Sequence, residues 1–115
     1  MVGFNLEINL QADARELFNL ATDFERTKDL FPAQLQNIEI ISKNNNEIIT
    51  EEELTFRTLL KDTIIKQKTV HKIQFPIVVS NIIEGPFKKS VITATFNKIN
   101  SGTNLIFNVQ FNIPL

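Results

Sequence analysis

The end of this chain alternates between apolar and polar side chains, and this pattern constrains the fold more than any other. The residues between the apolar positions are mostly Asn and Gln. The apolar positions are Leu105, Phe107, Val109, Phe111 and Ile113. A period of two is that of a β-strand with one buried face, as in an antiparallel sheet. The segment therefore predicts a half-buried strand whose large apolar face needs a cover.

Six earlier segments also have the composition of strands, and turn-forming residues separate most of them. The predicted turns fall at residues 43–46, 74–76, 85–86 and 100–102. The seven predicted strands cover residues 2–10, 38–42, 47–58, 62–73, 77–84, 87–99 and 103–113. Short connections between consecutive strands are typical of an antiparallel meander, and long twisted strands make such a sheet curl around its concave face.

Two short helices are predicted between the first and second strands. Asp13 and Glu16 have the spacing of a capping box, with Asp13 as the N-cap residue. Apolar residues then follow at helical spacing: Ala14, Leu17, Phe18, Ala21 and Phe24. A break is expected at residues 22–23. A second helix over residues 24–30 should end before Pro32, because proline disfavours helix in the residue ahead of it.

The composition predicts one globular domain over residues 1–115, with an oily interior. The chain has ten Phe but no Trp or Tyr, so its aromatic surface lacks hydrogen-bonding groups. A net charge of −1 gives no overall field that would favour nucleic acid. The absence of Cys fits a reducing compartment, and no membrane helix or signal peptide is apparent, so we expect a cytoplasmic protein.

Three segments resemble a known superfamily. They are residues 14–25 with 30–32, residues 81–89 and residues 111–115, and the most specific is Gly-Pro-Phe-Lys-Lys at residues 85–89. Together they resemble the START-like helix-grip superfamily of polyketide cyclases and pollen allergens, and most closely its coenzyme Q-binding branch. The resemblance implies an α+β helix-grip fold, in which a strand, two helices and six strands form one curved antiparallel sheet.

The chain departs from this family in two places. The family usually carries a Trp in the sixth strand two residues before a Phe, and Ala94 stands in that position ahead of Phe96. The smaller side chain should open space over the sheet. Family members also continue into a C-terminal helix that closes the concave face, whereas this sequence ends at Leu115. We therefore expect this sequence to lack that helix, and a ligand, a homodimer partner or a lost segment to cover the open face.

The resemblance implies binding of a hydrophobic ligand, namely a lipid, an isoprenoid or a quinone, with a role in quinone transport or as a quinone chaperone. Transient contact with a membrane would suit that role, and no other cofactor is expected. A filled core remains the alternative to a cavity, because periodicity alone does not separate the two. We expect Gln67, Thr69 and His71 to orient the ligand's polar head. The full set of expected cavity residues is Leu54, Phe56, Ile65, Gln67, Thr69, His71, Ala94, Phe96, Phe107, Val109 and Phe111.

Two other functions stay open at this stage. A cyclase or aromatase on the same fold would need internal acid–base groups, for which only His71 and Glu52 are candidates. The simpler interpretation makes His71 a half-exposed or satisfied histidine without a role and Glu52 a solvated or cross-strand-paired charge. A ribosome-binding module, also implied by the resemblance, would need a basic surface. Surface solubility explains Lys66, Lys68 and Lys72 adequately, and a lone His predicts no metal site.

Overall fold

The computed structural model describes residues 1–30, 35–57 and 59–113 of the chain. Over these residues the order of elements is a strand, two helices and six further strands, which confirms the predicted order. The elements are β1 (Val2–Leu10), α1 (Ala14–Ala21), α2 (Thr27–Leu30), β2 (Leu35–Lys43), β3 (Glu47–Arg57), β4 (Asp62–Gln74), β5 (Ile77–Glu84), β6 (Val91–Ile99) and β7 (Gly102–Phe111).

All the strands belong to one antiparallel sheet with the order β1-β7-β6-β5-β4-β3-β2. The first strand therefore lies beside the last, with Val2 opposite Phe111 and Leu10 opposite Thr103. The remaining strands follow one another as the meander that the short turns predict. Helix α1 packs across β6, so it lies over one face of the sheet and makes that face the interior.

The alternation at the end of the chain is explained by the two faces of β7. Its polar residues pair with those of β1 on the outer face, where the Asn104 side-chain amide donates to Glu7 at 2.7 Å and to Asn9 at 2.9 Å. Its apolar residues face the helix, and Leu105 is buried. The predicted half-buried strand is confirmed.

Helix α1 begins where the sequence predicts. The Asp13 carboxylate accepts hydrogen bonds from the backbone N–H groups of Arg15 and Glu16, both at 3.1 Å. These bonds satisfy two of the donors that a helix start leaves free. The helix ends at Thr22, whose hydroxyl donates to the Phe18 carbonyl at 2.9 Å. The expected N-cap and the expected break are both confirmed.

The core lies between α1 and the middle of the sheet. Phe18 is its centre: its ring meets those of Phe75 and Phe96 edge-on, with centroids 5.1 and 5.4 Å apart. Such contacts add to the stabilisation from buried area. The core cluster consists of Ala14, Phe18, Val78, Ala94, Phe96 and Leu105. It anchors the first turn of α1 on β5, β6 and β7, and leaves the space under the helix's end less filled.

Three element boundaries differ from the prediction by three residues or more. Strand β6 begins at Val91, because residues 87–90 form a turn in which Lys89 has a φ of +78° and donates to the Ile82 carbonyl at 2.9 Å. Helix α2 begins at Thr27 rather than at residue 24, after a turn. Strand β2 begins at Leu35 rather than at residue 38. The predicted break at Pro32 lies outside the described residues.

Candidate functional site

Strand pairing places one continuous row of side chains on the face that α1 covers. His71 on β4 lies opposite Ser80 on β5, and Ser80 lies opposite Ile92 on β6. Ile92 in turn lies opposite Val109 on β7, and Val109 opposite Phe4 on β1. Directly paired residues share a face of a sheet. The residues of the row are polar on β4 and β5 and apolar on β6, β7 and β1, so the polarity of the interior face falls across the sheet.

A cavity of about 490 Å³ lies between this face and the helical segment. Its helical wall includes Leu17, Leu20 and Phe24, and Leu10 of β1 also contributes. The sheet side includes Val78, Ile92, Ala94, Phe96, Leu105 and Phe107. Thr27, His71 and Ser80 are its polar residues. An apolar hollow with a few polar groups is the usual character of a small-molecule site.

Two other hollows are less suited to an apolar ligand. The larger, of about 740 Å³, lies near the turn between β4 and β5 and is lined in part by Glu47 and Lys72. The other, of about 520 Å³, lies at the start of α1 and includes Asp13 and Lys98. Both walls mix charged and polar side chains with apolar ones such as Phe75 and Pro76, so neither hollow is as uniformly apolar as the 490 Å³ cavity. The 490 Å³ cavity is therefore the candidate site.

A buried polar cluster, made of Thr50, Glu52, Thr69, His71 and Ser80, adjoins the cavity. The Thr50 hydroxyl donates to Glu52 Oε1 at 2.5 Å and lies 2.8 Å from His71 Nε2. Thr69 donates to Glu52 Oε2 at 3.2 Å. Ser80 Oγ lies 2.7 Å from His71 Nδ1. These side chains, which come from three neighbouring strands, satisfy one another, and the cluster reaches the cavity wall at His71 and Ser80.

The interpretation of Glu52 as a solvated charge is wrong, whereas its partners do lie across the strand pair, at Thr69 and His71 of β4. The residue is only 7% exposed, and it lies on the interior face opposite Gln67. Two threonine hydroxyls take the place of water at its two oxygens, which makes burial of a carboxylate tolerable. Its distance to His71 Nε2 is 3.8 Å. Glu52 lies behind the cavity wall and reaches the cavity through His71, which lines it.

His71 is buried under an aromatic ring. Phe24 stacks on the imidazole with centroids 4.2 Å apart and 25° between the planes. The residue is 8% exposed and both ring nitrogens have hydrogen-bond partners, so it is a buried, satisfied histidine rather than a half-exposed one. Phe24 follows the break that ends α1. This short turn therefore places a ring over the polar cluster and completes one wall of the cavity.

The structure brings together some of the eleven residues that the sequence proposes. His71, Ala94, Phe96 and Phe107 line the cavity, and Thr69 is buried in the polar cluster behind it. The remaining described members, Leu54, Ile65, Gln67, Val109 and Phe111, do not line the cavity. The side chain of Phe56 lies outside the described residues.

The members outside the cavity still lie on its face of the sheet. Leu54 and Ile65 are paired toward the far end of β3 and β4, and the side-chain amide oxygen of Gln67 is buried without a hydrogen-bond partner. Phe111 packs on Phe87, with ring centroids 4.7 Å apart.

Sequence reasoning missed three residues that matter here: Ser80, Thr50 and Phe24. Ser80 follows Val78 at the strand period, which was a usable signal for the same face. Thr50 and Glu52 share that period on β3. Phe24 was noted only as a helical core residue, and its contact with His71 depends on the turn after α1.

The interior side of β1 is open to solvent. Val2 and Phe4 are each 54% exposed and Leu6 is 50% exposed, although all three lie on the face that β7 shares with the cavity. Leu59 and Leu60, in the turn between β3 and β4, are also exposed. Large apolar patches on a protein surface usually mark places where something binds.

The lysines of β4 lie on the outer face, among carboxylates. Lys66 lies 3.7 Å from Glu53, and Lys68 lies 3.5 Å from Glu84. This arrangement supports the interpretation of a solvated outer surface. Within the described ranges, no His, Asp or Glu cluster has the geometry of a metal site, and no helix is long and apolar enough to span a membrane.

Comparison with known proteins places the fold. No family model and no curated protein sequence matches the chain. The structure is similar to Zhui aromatase/cyclase from Streptomyces sp. R1128, with a TM-score of 0.83 and 13% identity over 99% of this chain and 69% of that one. It is also similar to Ara h 8.0201, with a TM-score of 0.69 and 18% identity over 97% and 78% of the two chains.

A START superfamily protein from Mycobacterium smegmatis gives a TM-score of 0.67 at 15% identity, over 99% of this chain and 77% of that one. Together these likenesses confirm the helix-grip fold, a curved antiparallel sheet with helix α1 across one face. The fold is therefore that of START-like and aromatase/cyclase structures. The coenzyme Q-binding branch stays a prediction.

Proposed function

We propose that this protein binds a small hydrophobic molecule in the cavity between α1 and the sheet. The observation that carries the proposal is the apolar character of the 490 Å³ cavity, in which Thr27, His71 and Ser80 are the polar residues among the lining that the structure describes. Ligand pockets commonly have volumes of about 300–1,000 Å³ and walls of this composition. A lipid, an isoprenoid or the tail of a quinone has the required shape and surface.

Burial of apolar surface supplies the binding energy. A ligand that buries about 300 Å² of apolar area gains roughly 7 kcal/mol, at about 25 cal/mol per Å², before the costs of association. Contacts with Phe24, Phe96 and Phe107 would provide much of that area. The polar cluster would fix which end of the ligand enters first.

Ala94 supports a cavity rather than a filled core. It lies between Val78 and Phe107 in the sheet and lines the cavity floor. The resemblance places a Trp at this position in relatives. A methyl group here leaves the space above the sheet unoccupied by side chains, so Ala94 is the residue that sets the depth of the proposed site.

The exposed strip of β1 would extend the site. Leu10 lines the cavity, and Leu6 and Phe4 continue along the same face. We place the remainder of a long ligand along this strip, with a second copy of the chain as the alternative cover. Leu59 and Leu60 are exposed at the turn between β3 and β4 and would give transient contact with a lipid surface.

A cyclase-like catalyst is the second candidate function. It is favoured by the position of His71 at the cavity wall, with Glu52 behind it, because a cyclisation needs an internal acid or base. The fold is also that of an aromatase/cyclase. An enzyme would convert a polyketone substrate and lose turnover in His71→Ala, whereas a binding protein would return its ligand unchanged.

Native mass spectrometry of the protein from its own host tests the proposal. The expected spectrum contains a one-to-one complex with a co-purifying molecule that organic solvent extracts. Protein stripped by that extraction should reload with a fatty alcohol, a fatty acid or a quinone. Protein that emerges empty and also fails to take up all three classes would sink the proposal.

A further inference from the structure

The hydrogen bonds of the polar cluster have a fixed direction. An ionised carboxylate only accepts hydrogen bonds. The Thr50 hydroxyl lies 2.5 Å from Glu52 Oε1 and therefore donates its one proton to that oxygen. Thr50 Oγ1 then offers only lone pairs to His71 Nε2, which lies 2.8 Å away. Nε2 must carry a hydrogen, because two facing lone pairs at this distance would repel.

This fixes the tautomer of the neutral imidazole. With its hydrogen on Nε2, His71 has an acceptor at Nδ1. Ser80 Oγ lies 2.7 Å from Nδ1, so its hydroxyl donates there. The bonds run in one direction, from Ser80 to His71, from His71 to Thr50, and from Thr50 to Glu52. The buried carboxylate thus sets the orientation of a hydroxyl on another strand.

The hydroxyl groups of the cavity wall offer a ligand hydrogen-bond acceptors rather than donors. Ser80 lines the cavity and donates its proton to His71, so the lone pairs of its oxygen are what a ligand meets. Thr27, the other hydroxyl there, donates to the Asp23 backbone carbonyl at 3.3 Å. Phe24 covers a face of the imidazole. Among the side chains that the structure describes along this wall, no hydroxyl proton remains free for a ligand.

We infer that the ligand carries a hydrogen-bond donor, and specifically a hydroxyl group on an apolar body. The inference rests on the proposed binding function and narrows its ligand class to alcohols and phenols. A ligand hydroxyl would donate to Ser80 Oγ. A ketone or quinone oxygen in the same place would face the Ser80 lone pair without a hydrogen between them. Carbonyl ligands are therefore disfavoured against hydroxyl ligands of equal apolar area.

The tautomer can be tested without any ligand. His71 is the only histidine of the chain, so proton–nitrogen correlation NMR of a nitrogen-15-labelled sample gives a single imidazole pattern. The expected pattern at neutral pH is that of a neutral ring protonated at Nε2. A ring protonated at Nδ1, or at both nitrogens, would overturn the inference whether or not the protein binds hydrophobic molecules.

Matched ligands test the chemical class. Dodecanol and methyl decyl ketone have the same number of carbons and differ in the polar group. Calorimetric titration should show dodecanol binding at least about fivefold more tightly, which is the ordinary range for one neutral hydrogen bond. The Ser80→Ala variant should bind both with similar affinity, and its far-ultraviolet circular dichroism should match that of the wild type.

The outcomes distinguish a failure of the proposed binding function from a failure of the hydroxyl inference. If neither molecule binds, the proposed function fails. If both bind equally, or if the ketone binds more tightly to the wild type, the hydrophobic site stands and the hydroxyl inference fails. The comparison of the two ligands on the wild type and the tautomer measurement test the hydroxyl inference even if Ser80→Ala does not fold.

Discussion

The ring of Phe24 lies nearly flat on the imidazole of His71, with centroids 4.2 Å apart and an angle of 25° between the planes. Phe24 follows helix α1, whereas His71 belongs to β4 in the middle of the sheet. The stack therefore ties the helical segment to the polar cluster and forms one wall of the cavity. Removing it should affect stability and ligand binding together.

We expect Phe24→Ala to lower the free energy of unfolding by about 3 kcal/mol, because a buried aromatic side chain is lost and a cavity already beside it grows. Urea denaturation followed by circular dichroism measures this. Leu20→Ala is the matched control: Leu20 lines the same cavity but is 49% exposed, so its loss should cost less than about 1 kcal/mol. Equal costs for the two variants would contradict a packed role for Phe24.

Thr50 should be the most sensitive hydroxyl of the sheet. Thr50→Val keeps the side-chain shape but leaves Glu52 Oε1 and His71 Nε2 without their shared partner. We expect a loss of about 2–3 kcal/mol in the free energy of unfolding, since buried groups lose their hydrogen bonds.

Thr55→Val is the control for that variant, from the opposite face of the same strand. The Thr55 hydroxyl is buried without a hydrogen-bond partner. Its removal should leave stability unchanged or raise it by up to about 1 kcal/mol. Chemical denaturation of both variants gives the comparison. A loss at Thr55 as large as that at Thr50 would mean that the polar cluster contributes nothing specific.

The turn at Gly85 should not tolerate a side chain. Its φ is +113°, and an added Cβ would lie 2.8 Å from the Lys66 carbonyl oxygen and 2.9 Å from Gln67 Cβ. We expect Gly85→Ala to lower the thermal midpoint by about 8 °C or more, from a cost of about 2 kcal/mol in backbone strain and overlap.

Gly3→Ala should be almost neutral by comparison. There an added Cβ meets only the flexible end of the Gln110 side chain. Differential scanning calorimetry of the two variants checks the contrast. Equal thermal midpoints for Gly85→Ala and Gly3→Ala would contradict the close approach of the Gly85 turn to β4.

Most of the fold could be predicted from the sequence, because its local signals agree with one another. The alternation around Phe107 matches the interior face of β7, and Asp13 caps α1 as its spacing predicts. The start of β6 was misplaced, since Phe87 and the lysines after it look like a strand. Lys89 instead adopts a positive φ, which composition does not reveal.

The polar cluster was harder to predict because it depends on register. Among the three adjacent glutamates at residues 51–53, the strand period puts only Glu52 on the face of Leu54, but it does not reveal whether that face is buried. Glu52 turns inward because it pairs with Gln67 on the interior face, and because hydroxyls of Thr50 and Thr69 meet its oxygens. The second of these threonines is far away in the sequence, so only the assembled sheet identifies the buried carboxylate.

A larger side chain in the floor of the cavity should weaken ligand binding. Ala94 lines the cavity floor, and a Trp there would occupy the space proposed for the ligand. We expect Ala94→Trp to weaken binding of dodecanol by at least about tenfold, a loss of about 1.4 kcal/mol, while circular dichroism stays unchanged. Thr95→Trp, on the opposite face of the same strand, adds the same ring outside the cavity and should bind as the wild type does.

Calorimetric titration of dodecanol into these three proteins at several temperatures tests the hydrophobic site most directly. We expect one site with a negative heat-capacity change for the wild type and for Thr95→Trp, as burial of apolar surface requires. We expect loss of that signal for Ala94→Trp. No saturable binding to the wild type, or undiminished binding to Ala94→Trp, would contradict the claim that this cavity holds an apolar ligand.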